Sequence, residues 1–337
     1  MRRGIGPAVQ SMSDSATSGS HGLTCRVFRF DLQALGSGRL PGYAGSMLRG
    51  AFGHAFRRIG CLSRQVNSPC PAPKACPYHY CFETPGDASG LEQQLRPLLF
   101  EPPPPEPRDI SVGATLRFGL TAIGSAGRYA PQFLAAAWEM GRQGLKVERI
   151  PFTLTRAEAL RSDGSWALWF CRDEEQLRPL PPPLSLDEIS RHPLNGPRAV
   201  LVFETPTRLK EDGQIVPRVE LDVLLRRLRE RVVRLLRAHC GIDSSTALAL
   251  VTDTGSITSS VKLQWFDWRR RSNRQDRTVP MGGLVGEIEL EGDLSGLAPL
   301  LRLGEVMHVG KGATMGMGRY WIKDGQPRTT DIFGGQT

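Results

Sequence analysis

The sequence predicts an α+β chain of two tandem ferredoxin-like (RRM-like) domains, with a Cys-rich insertion in the first. Three observations predict it. The order strand–helix–strands–helix–strand is read twice along the 337 residues, and it suits an antiparallel sheet with two helices on one face. Between the two readings the composition breaks at Pro179 to Pro197, with Pro181, Pro182 and Pro183 in a row. The length is enough for two domains, each able to bury a core. The expected organisation is a Ser/Gly-rich disordered extension over 1–22 and a first domain over 23–178 with its insertion at 61–85. A Pro-rich linker over 179–197, a second domain over 198–325 and a tail over 326–337 complete it.

Leu23 to Leu32 carries enough β-prone residues for a strand, and Leu40-Pro41-Gly42 is a turn. From Gly45 to Ile59 the pattern is helical, with Leu48, Phe52, Ala55 and Ile59 on one narrow stripe. The segment Cys61 to Cys81 is too proline-rich for regular structure, and Pro102 to Pro105 reads as a polyproline-like spacer. Thr115 to Ile123 is a strand. Pro131 to Gly141 is a helix with proline near its first turn and glycine at its end. Strands follow around Val147 to Thr155 and Trp166 to Cys171.

The second domain restarts the pattern. Ala199 to Glu204 is a strand. Val219 to His239 is a helix with an apolar stripe of Leu221, Leu225, Leu228, Val232 and Leu235. Val261 to Phe266 and Leu284 to Leu290 are strands, Leu294 to Leu303 is a short helix, and Tyr320 to Ile322 is the last strand.

Between the last helix and the last strand, Gly310, Gly312, Gly316 and Gly318 surround Lys311, with Arg319 and Tyr320 closing the run. Glycines let backbone approach a ligand closely, and free N–H groups beside a lysine suit an anion. A nucleotide P-loop is excluded, because Lys311 is followed by Gly312 and Ala313 and not by Ser or Thr. A dinucleotide fold is excluded, because only seventeen residues follow Tyr320. The alternatives left are a tight hairpin and a loop that contacts nucleic-acid phosphate.

The formal charge of +9, from 43 basic and 34 acidic residues, favours a polyanionic partner. No apolar run reaches the ~18 residues of a membrane span, so no membrane partner is expected. The N-terminus lacks the apolar core of a signal peptide, so a cytoplasmic location is the expectation. A basic run of Arg269, Arg270, Arg271, Arg274 and Arg277 follows Trp265, Phe266 and Trp268. Cations beside aromatics suit RNA, which offers phosphate to neutralise and unpaired bases to stack. Arg226, Arg227, Arg231, Arg234 and Arg237 lie off the apolar stripe of the long helix, where a solvated face serves equally well as an explanation.

Several segments occur together and in order. They are Leu40-Pro41-Gly42-Tyr43 running into Leu48-Arg49-Gly50-Ala51-Phe52-Gly53-His54, Cys76-Pro77-Tyr78 leading to Phe82-Glu83-Thr84-Pro85, Phe203-Glu204-Thr205-Pro206-Thr207-Arg208-Leu209-Lys210, Arg274-Gln275 ahead of Val279-Pro280-Met281-Gly282-Gly283-Leu284-Val285-Gly286-Glu287, and the closing glycine loop. Over residues 23 to 325 the chain resembles the CRISPR-associated endoribonucleases that process precursor CRISPR RNA, members of the RAMP superfamily. The resemblance implies tandem ferredoxin-like domains, metal-independent cleavage of CRISPR repeat RNA, and RNA contact by the glycine loop. It also implies a bound crRNA product and subunits of a CRISPR effector complex as partners. A catalytically inactive RNA-binding subunit of such a complex, or an RNA-binding protein outside CRISPR systems, is the rival reading.

Cleaving RNA without a metal uses the 2′-hydroxyl as nucleophile, a base, an acid and cations at the phosphorus. Histidine suits both proton roles because its ordinary pKa lies near 7. His54 leads among the six histidines. It falls about 130° from the centre of the apolar stripe, and Arg57 and Arg58 are three and four residues on. In the family a histidine on or near this helix serves as base or acid with a tyrosine and a cation nearby, which implies His54, Tyr43 and Arg58. His308 adjoins the glycine loop and is the second catalytic candidate, while Lys311 and Arg319 are cast as phosphate clamps. His239 ends a helix, where a cation complements the dipole.

Cys61, Cys70, Cys76 and Cys81 are separated by eight, five and four residues, in a stretch bent by prolines. A structural zinc held by these four would order a loop with no core of its own. His79 is the alternative fourth ligand, and free thiols or an iron–sulfur cluster are the other readings. No cofactor is expected for catalysis.

Overall fold

Phe28, Phe30 and Leu32 alternate along the first strand and are fully buried on one face, under the helices of their own domain. Cys25 and Val27 point the other way and are equally buried, in the core of the second domain. A strand buried on both faces thus joins the two halves of the chain. The computed structural model describes residues 22–61, 70–73, 75–83, 95–146, 148–242, 250, 252–255, 257–272, 277–326, 328 and 330–333.

The first half contains β1 (Thr24–Ala34), β2 (Gly38–Leu40), α1 (Gly45–Gly60), β3 (Leu98–Glu101), β4 (Arg108–Ile110), β5 (Thr115–Ile123), α2 (Ala130–Gln143), β6 (Phe152–Leu160), β7 (Trp166–Cys171), β8 (Gln176–Leu177), β9 (Leu184–Ser185) and α3 (Leu186–Arg191). The second contains β10 (Arg198–Thr207), β11 (Lys210–Glu211), β12 (Gln214–Ile215), α4 (Leu221–Cys240), β13 (Thr258–Phe266), β14 (Arg269–Ser272), β15 (Arg277–Pro280), β16 (Gly283–Glu291), α5 (Ala298–Met307) and β17 (Tyr320–Lys323). The first sheet runs β3-β5-β1-β6-β7-β8, with β9 also on β1, and the second runs β13-β16-β10-β17. Each βαββαβ unit therefore orders its strands second–third–first–fourth, with antiparallel pairing. This is the ferredoxin-like arrangement expected for both halves.

Several boundaries differ from the expectation. β3 was missed because its four residues are all buried and show no alternation. β6 begins at Phe152, after a tight turn in which Leu145 pairs with Ile150; Val147 lies outside the described residues. Residues 179–197 hold β9 and α3, whose Leu184, Leu186 and Ile189 are buried. The last helix starts at Ala298, with Pro299 in its first turn. In α1, Phe56 is fully buried while Ile59 is 41% exposed, so the stripe is wider and rotated from the one expected. The stripe of α4 is as expected, except that Arg231 is buried and donates its Nε to the Met307 carbonyl at 2.8 Å. Residues 1–21 of the expected extension lie outside the described residues. The tail is packed, since Ile332 is buried and meets the open face of Gly119.

Besides the shared strand, three side-chain links among the described residues tie the domains together. The 3-10 turn Ala313–Met315 sits on the start of α1: Tyr43 donates its hydroxyl to the Met315 carbonyl at 2.8 Å. Arg319 lies between Glu204 at 2.9 Å and Glu101 at 3.7 Å. The end of α4 docks through His239, whose Nε2 donates to the Leu95 carbonyl at 2.6 Å while Nδ1 accepts from the Tyr80 hydroxyl at 2.9 Å. The histidine expected as a cation on the helix dipole is therefore a buried, neutral bridge.

A Cβ on Gly45 would overlap the Met315 carbonyl oxygen, a backbone atom with little room to move. Gly45→Ala should destabilise the protein by about 2 kcal/mol, in the range of overpacked sites, as read by denaturant unfolding. Unchanged stability would show that the domains dock differently in solution.

Candidate functional site

The exposed face of α1 is where the predicted site begins. His54 is exposed on it. Arg58, one turn on, is 66% exposed at its side chain and pairs with Glu139 of α2 at 3.7 Å. Glu139 is also bonded by Arg142 at 3.0 Å and Gln143 at 2.7 Å. Hydrogen bonds from Gln143 and Arg142 hold its carboxyl below the usual carboxylate range. On the other flank of α1, Arg57 lies over the Tyr78 ring and Arg49 over the Phe82 ring, both at 5.5 Å. Tyr78 and Phe82 stack with centroids 5.4 Å apart. The helix thus carries a histidine and three arginines, with the arginines braced from both sides.

The first turn of α1 meets the other two predicted features. Tyr43, Met315 and Met317 form a buried cluster with Trp268 and Met281 packed against it. The Tyr43 and Trp268 rings are 4.6 Å apart. Trp268 and Met281 close the base of the β14–β15 hairpin through a Met281 N–H to Trp268 carbonyl bond of 2.9 Å. One cluster therefore joins the start of α1, the glycine loop and the root of the basic hairpin. The backbone of Arg269, Arg270 and Arg271 lies in β14 and that of Arg277 in β15; their side chains and all of Arg274 lie outside the described residues.

The glycine loop is laced to the segment after β10. Lys311 donates its N–H to the Arg208 carbonyl at 2.9 Å, Gly318 to the Pro206 carbonyl at 3.1 Å, and Arg319 to the Thr205 hydroxyl at 2.9 Å. Lys311 is exposed and Gly310 and Gly312 are half-buried at the surface end of the loop. Arg208, which sequence reasoning passed over, projects beside them. It is half-buried, and its guanidinium approaches the Met281 sulfur at 3.2 Å. Burial lowers its pKa. The signal that could have found it is its position directly after a β-rich run and ahead of Leu209, opposite a loop that no local pattern connects to it.

The structure corrects several expected roles. Tyr43 is buried, its hydroxyl is committed to Met315, and burial raises its pKa, so it has no proton to exchange with a surface ligand. His308 is fully buried. Burial first, then the charges of Arg319 and Arg231, drives its pKa well down, and a neutral ring inside the core faces no phosphate. Gly316, Gly318 and Arg319 are buried as well, the first two against Pro102 and the Val309 carbonyl. Among the predicted residues whose side chains are described, His54, Arg58, Gly310, Lys311 and Gly312 remain within reach of a ligand.

The structure does not support the expected zinc site. Among the described residues no group of three or more His, Cys, Asp and Glu side chains could hold a metal. Cys76 and Cys81 are buried. Cys76 donates its thiol to the Gly60 carbonyl at 3.7 Å, and burial pushes the Cys81 thiol pKa up. Cys61 and Cys70 are partly exposed, and His79 does not join them in a site. Residues 62–69, 74 and 84–94 lie outside the described residues. The segment was expected to lack a core; Phe82 and Cys81 instead belong to the core of the first domain.

Two segments of the chain match known families, and its fold is like that of solved structures. Residues 201–320 match the family of CRISPR-associated endoribonuclease Cas6, and residues 23–182 match a family described as an N-terminal domain. No curated protein matches the chain by sequence. A Cas6 product complex has a TM-score of 0.55 at 18% identity, over 89% of this chain and 99% of that one. Thermus thermophilus Cas6 has a TM-score of 0.50 at 17% identity, over 90% and 99%. A partial Cas6-RT-Cas1–Cas2 complex has 0.54 at 14% identity, over 93% of this chain and 48% of that one. At such identities the likeness is one of fold. No described helix is long and apolar enough to cross a membrane.

Folding holds His239 and His308 below the ordinary histidine pKa, through burial in both cases. The unfolded chain protonates each below about pH 6.5 while the folded chain resists. Their contribution is full above that pH and is lost as pH falls, by up to ~1.4 kcal/mol per unit for each histidine. Denaturant titrations should give lower stability at pH 5.5 than at 7.5, and His239→Gln should narrow the difference. A difference that His239→Gln leaves untouched would mean that His239 ionises freely in the folded protein.

Proposed function

We propose that this chain, whose residues 201–320 match the Cas6 family and whose fold is like that of solved Cas6 structures, is a Cas6-type endoribonuclease that cleaves CRISPR repeat RNA without a metal, using the substrate's own 2′-hydroxyl, and retains the guide RNA it makes. The observation that carries this reading is His54, exposed on a helix whose first turn is pinned by the glycine loop and whose flanks hold three arginines.

In this reading the 2′-oxygen attacks phosphorus as its proton leaves, the P–O5′ bond breaks, and a proton reaches the 5′-oxygen. The products are a 2′,3′-cyclic phosphate and a 5′-hydroxyl. His54 moves a proton at the scissile phosphate, and Arg58 stabilises the charge that builds on its oxygens. Lys311 and the β14–β15 hairpin grip the RNA on either side of the Tyr43–Trp268 cluster. Retained guide RNA would be the surface offered to subunits of an effector complex.

The test is single-turnover cleavage of repeat RNA in EDTA. His54→Ala should lower the rate by about 100-fold or more and leave binding within about threefold, since a surface histidine contributes little to a contact made mainly by phosphate charges. Lys311→Ala should weaken binding at all sequences and reduce the salt slope by about one. Undiminished cleavage by His54→Ala would remove His54 from the reaction. Tight binding with no cleavage by the wild type would make the chain an RNA-holding subunit.

A further inference from the structure

Helix α1 contains four glycines, and two have a neighbour that a Cβ would overlap: Gly45 lies under the Met315 carbonyl and Gly53 against the Phe82 ring. Gly60 is the last residue of the helix, in ordinary contact with Pro77 and Phe56. The other glycines inside described helices are explained in the same way: Gly141 meets the Phe152 backbone and Gly304 the Tyr320 hydroxyl. Gly50 is different. A Cβ built there would have no neighbour within 4 Å. Its backbone is ordinary α-helix, so no positive φ calls for glycine either. Glycine is the poorest helix former after proline, and alanine would fit the protein without a clash. The position carries a penalty that nothing among the described residues explains.

Its place on the helix supplies the explanation. Gly50 and His54 are four residues apart and so lie on one face, about 6 Å apart along the axis. Arg57 continues that face by one further turn. We propose that Gly50 is a substrate cradle: it lets the ribose–phosphate unit beside the cleaved bond lie directly on α1, with its phosphate within reach of His54. A side chain at 50 would lift the sugar off the helix. A misplacement of about 1 Å is enough to lower a rate ~100-fold when the reacting groups must align. This inference rests on the reading of α1 as the cleavage face.

The experiment separates clearance from stability. Gly50→Ala and Gly50→Leu are compared with wild type for thermal melting, repeat-RNA binding and single-turnover cleavage, and His54→Ala is run beside them. Both substitutions add helix propensity, so the melting temperature should rise by about 2 °C. Cleavage at saturating enzyme should nevertheless fall about tenfold for alanine and further for leucine. A more stable Gly50→Leu protein that cleaves at the wild-type rate overturns the cradle while leaving the function intact. If His54→Ala cleaves like wild type, the failure lies in the reading of α1 and not in Gly50. A lowered melting temperature for Gly50→Ala would also overturn the proposal, because it would reveal a packing role for the glycine inside the chain.

Discussion

A buried cation between two carboxylates holds the two domains in register. Arg319 is nearly inaccessible, and Glu101 comes to it from β3 while Glu204 comes from β10. A charged pair removed from water is stable only when its remaining atoms are satisfied, and removing one partner strands the other. Here the Thr121 hydroxyl donates to Glu101 at 2.8 Å and Arg328 pairs with Glu204 at 2.8 Å, while Glu101 Oε2 and Arg319 Nε find no hydrogen bond among the described residues. Burial pushes the Glu101 carboxyl up, while Arg319 pulls it back. The Phe333 ring lies 5.1 Å from the Arg319 guanidinium, so the end of the chain seals the same group from water. Geometry of this kind specifies one relative placement of the domains, because no shifted docking would leave the three charges paired.

The glycine loop follows from that placement. Gly312, Gly316 and Gly318 take φ of 82°, 84° and 70°, a region costly for other residues. The turns they make bring Met315 against Tyr43 and Met317 into the core, and set Arg319 between its carboxylates. Most of a motif that looks built for phosphate therefore serves the interface between the domains. What it leaves at the surface is Lys311, held through its own N–H to the Arg208 carbonyl. In the proposed reading the loop would serve binding by placing one lysine and one arginine, and cleavage by fixing the first turn of the helix that bears His54.

Features that repeat within a few residues were legible in the sequence. The apolar stripes of α1 and α4 placed both helices, and the angular arithmetic put His54 outside the core, where it is found. Features decided by distant segments were not legible. His308 adjoins a glycine-rich loop, as a phosphate ligand would, but Arg231 of α4 and the packed loop enclose it. The cysteines cluster in sequence as metal ligands do, yet Cys76 and Cys81 turn inward because Phe82 docks on α1. Arg208 carries only the weak local mark of following a β-rich run; its place beside the glycine loop is set by contacts about a hundred residues away.

The insertion then acquires a role that needs no metal. Tyr78 and Phe82 form a stacked step against one flank of α1, and Arg57 and Arg49 rest on the two rings. On the opposite flank Glu139 draws Arg58 toward α2. Free arginine side chains sample many rotamers, and ordering them when RNA binds would oppose association. Rings on one side and a carboxylate on the other limit that freedom beforehand. The same helix has its first turn fixed by Met315 and its apolar face locked by Phe52 and Phe56. What remains unfilled is the crest between the braced arginines, where Gly50 and His54 lie. In the proposed reading, a rigid helix with an open crest would set the distance between a bound phosphate and His54 without help from the loops around it, which is the condition that cleavage at one bond imposes.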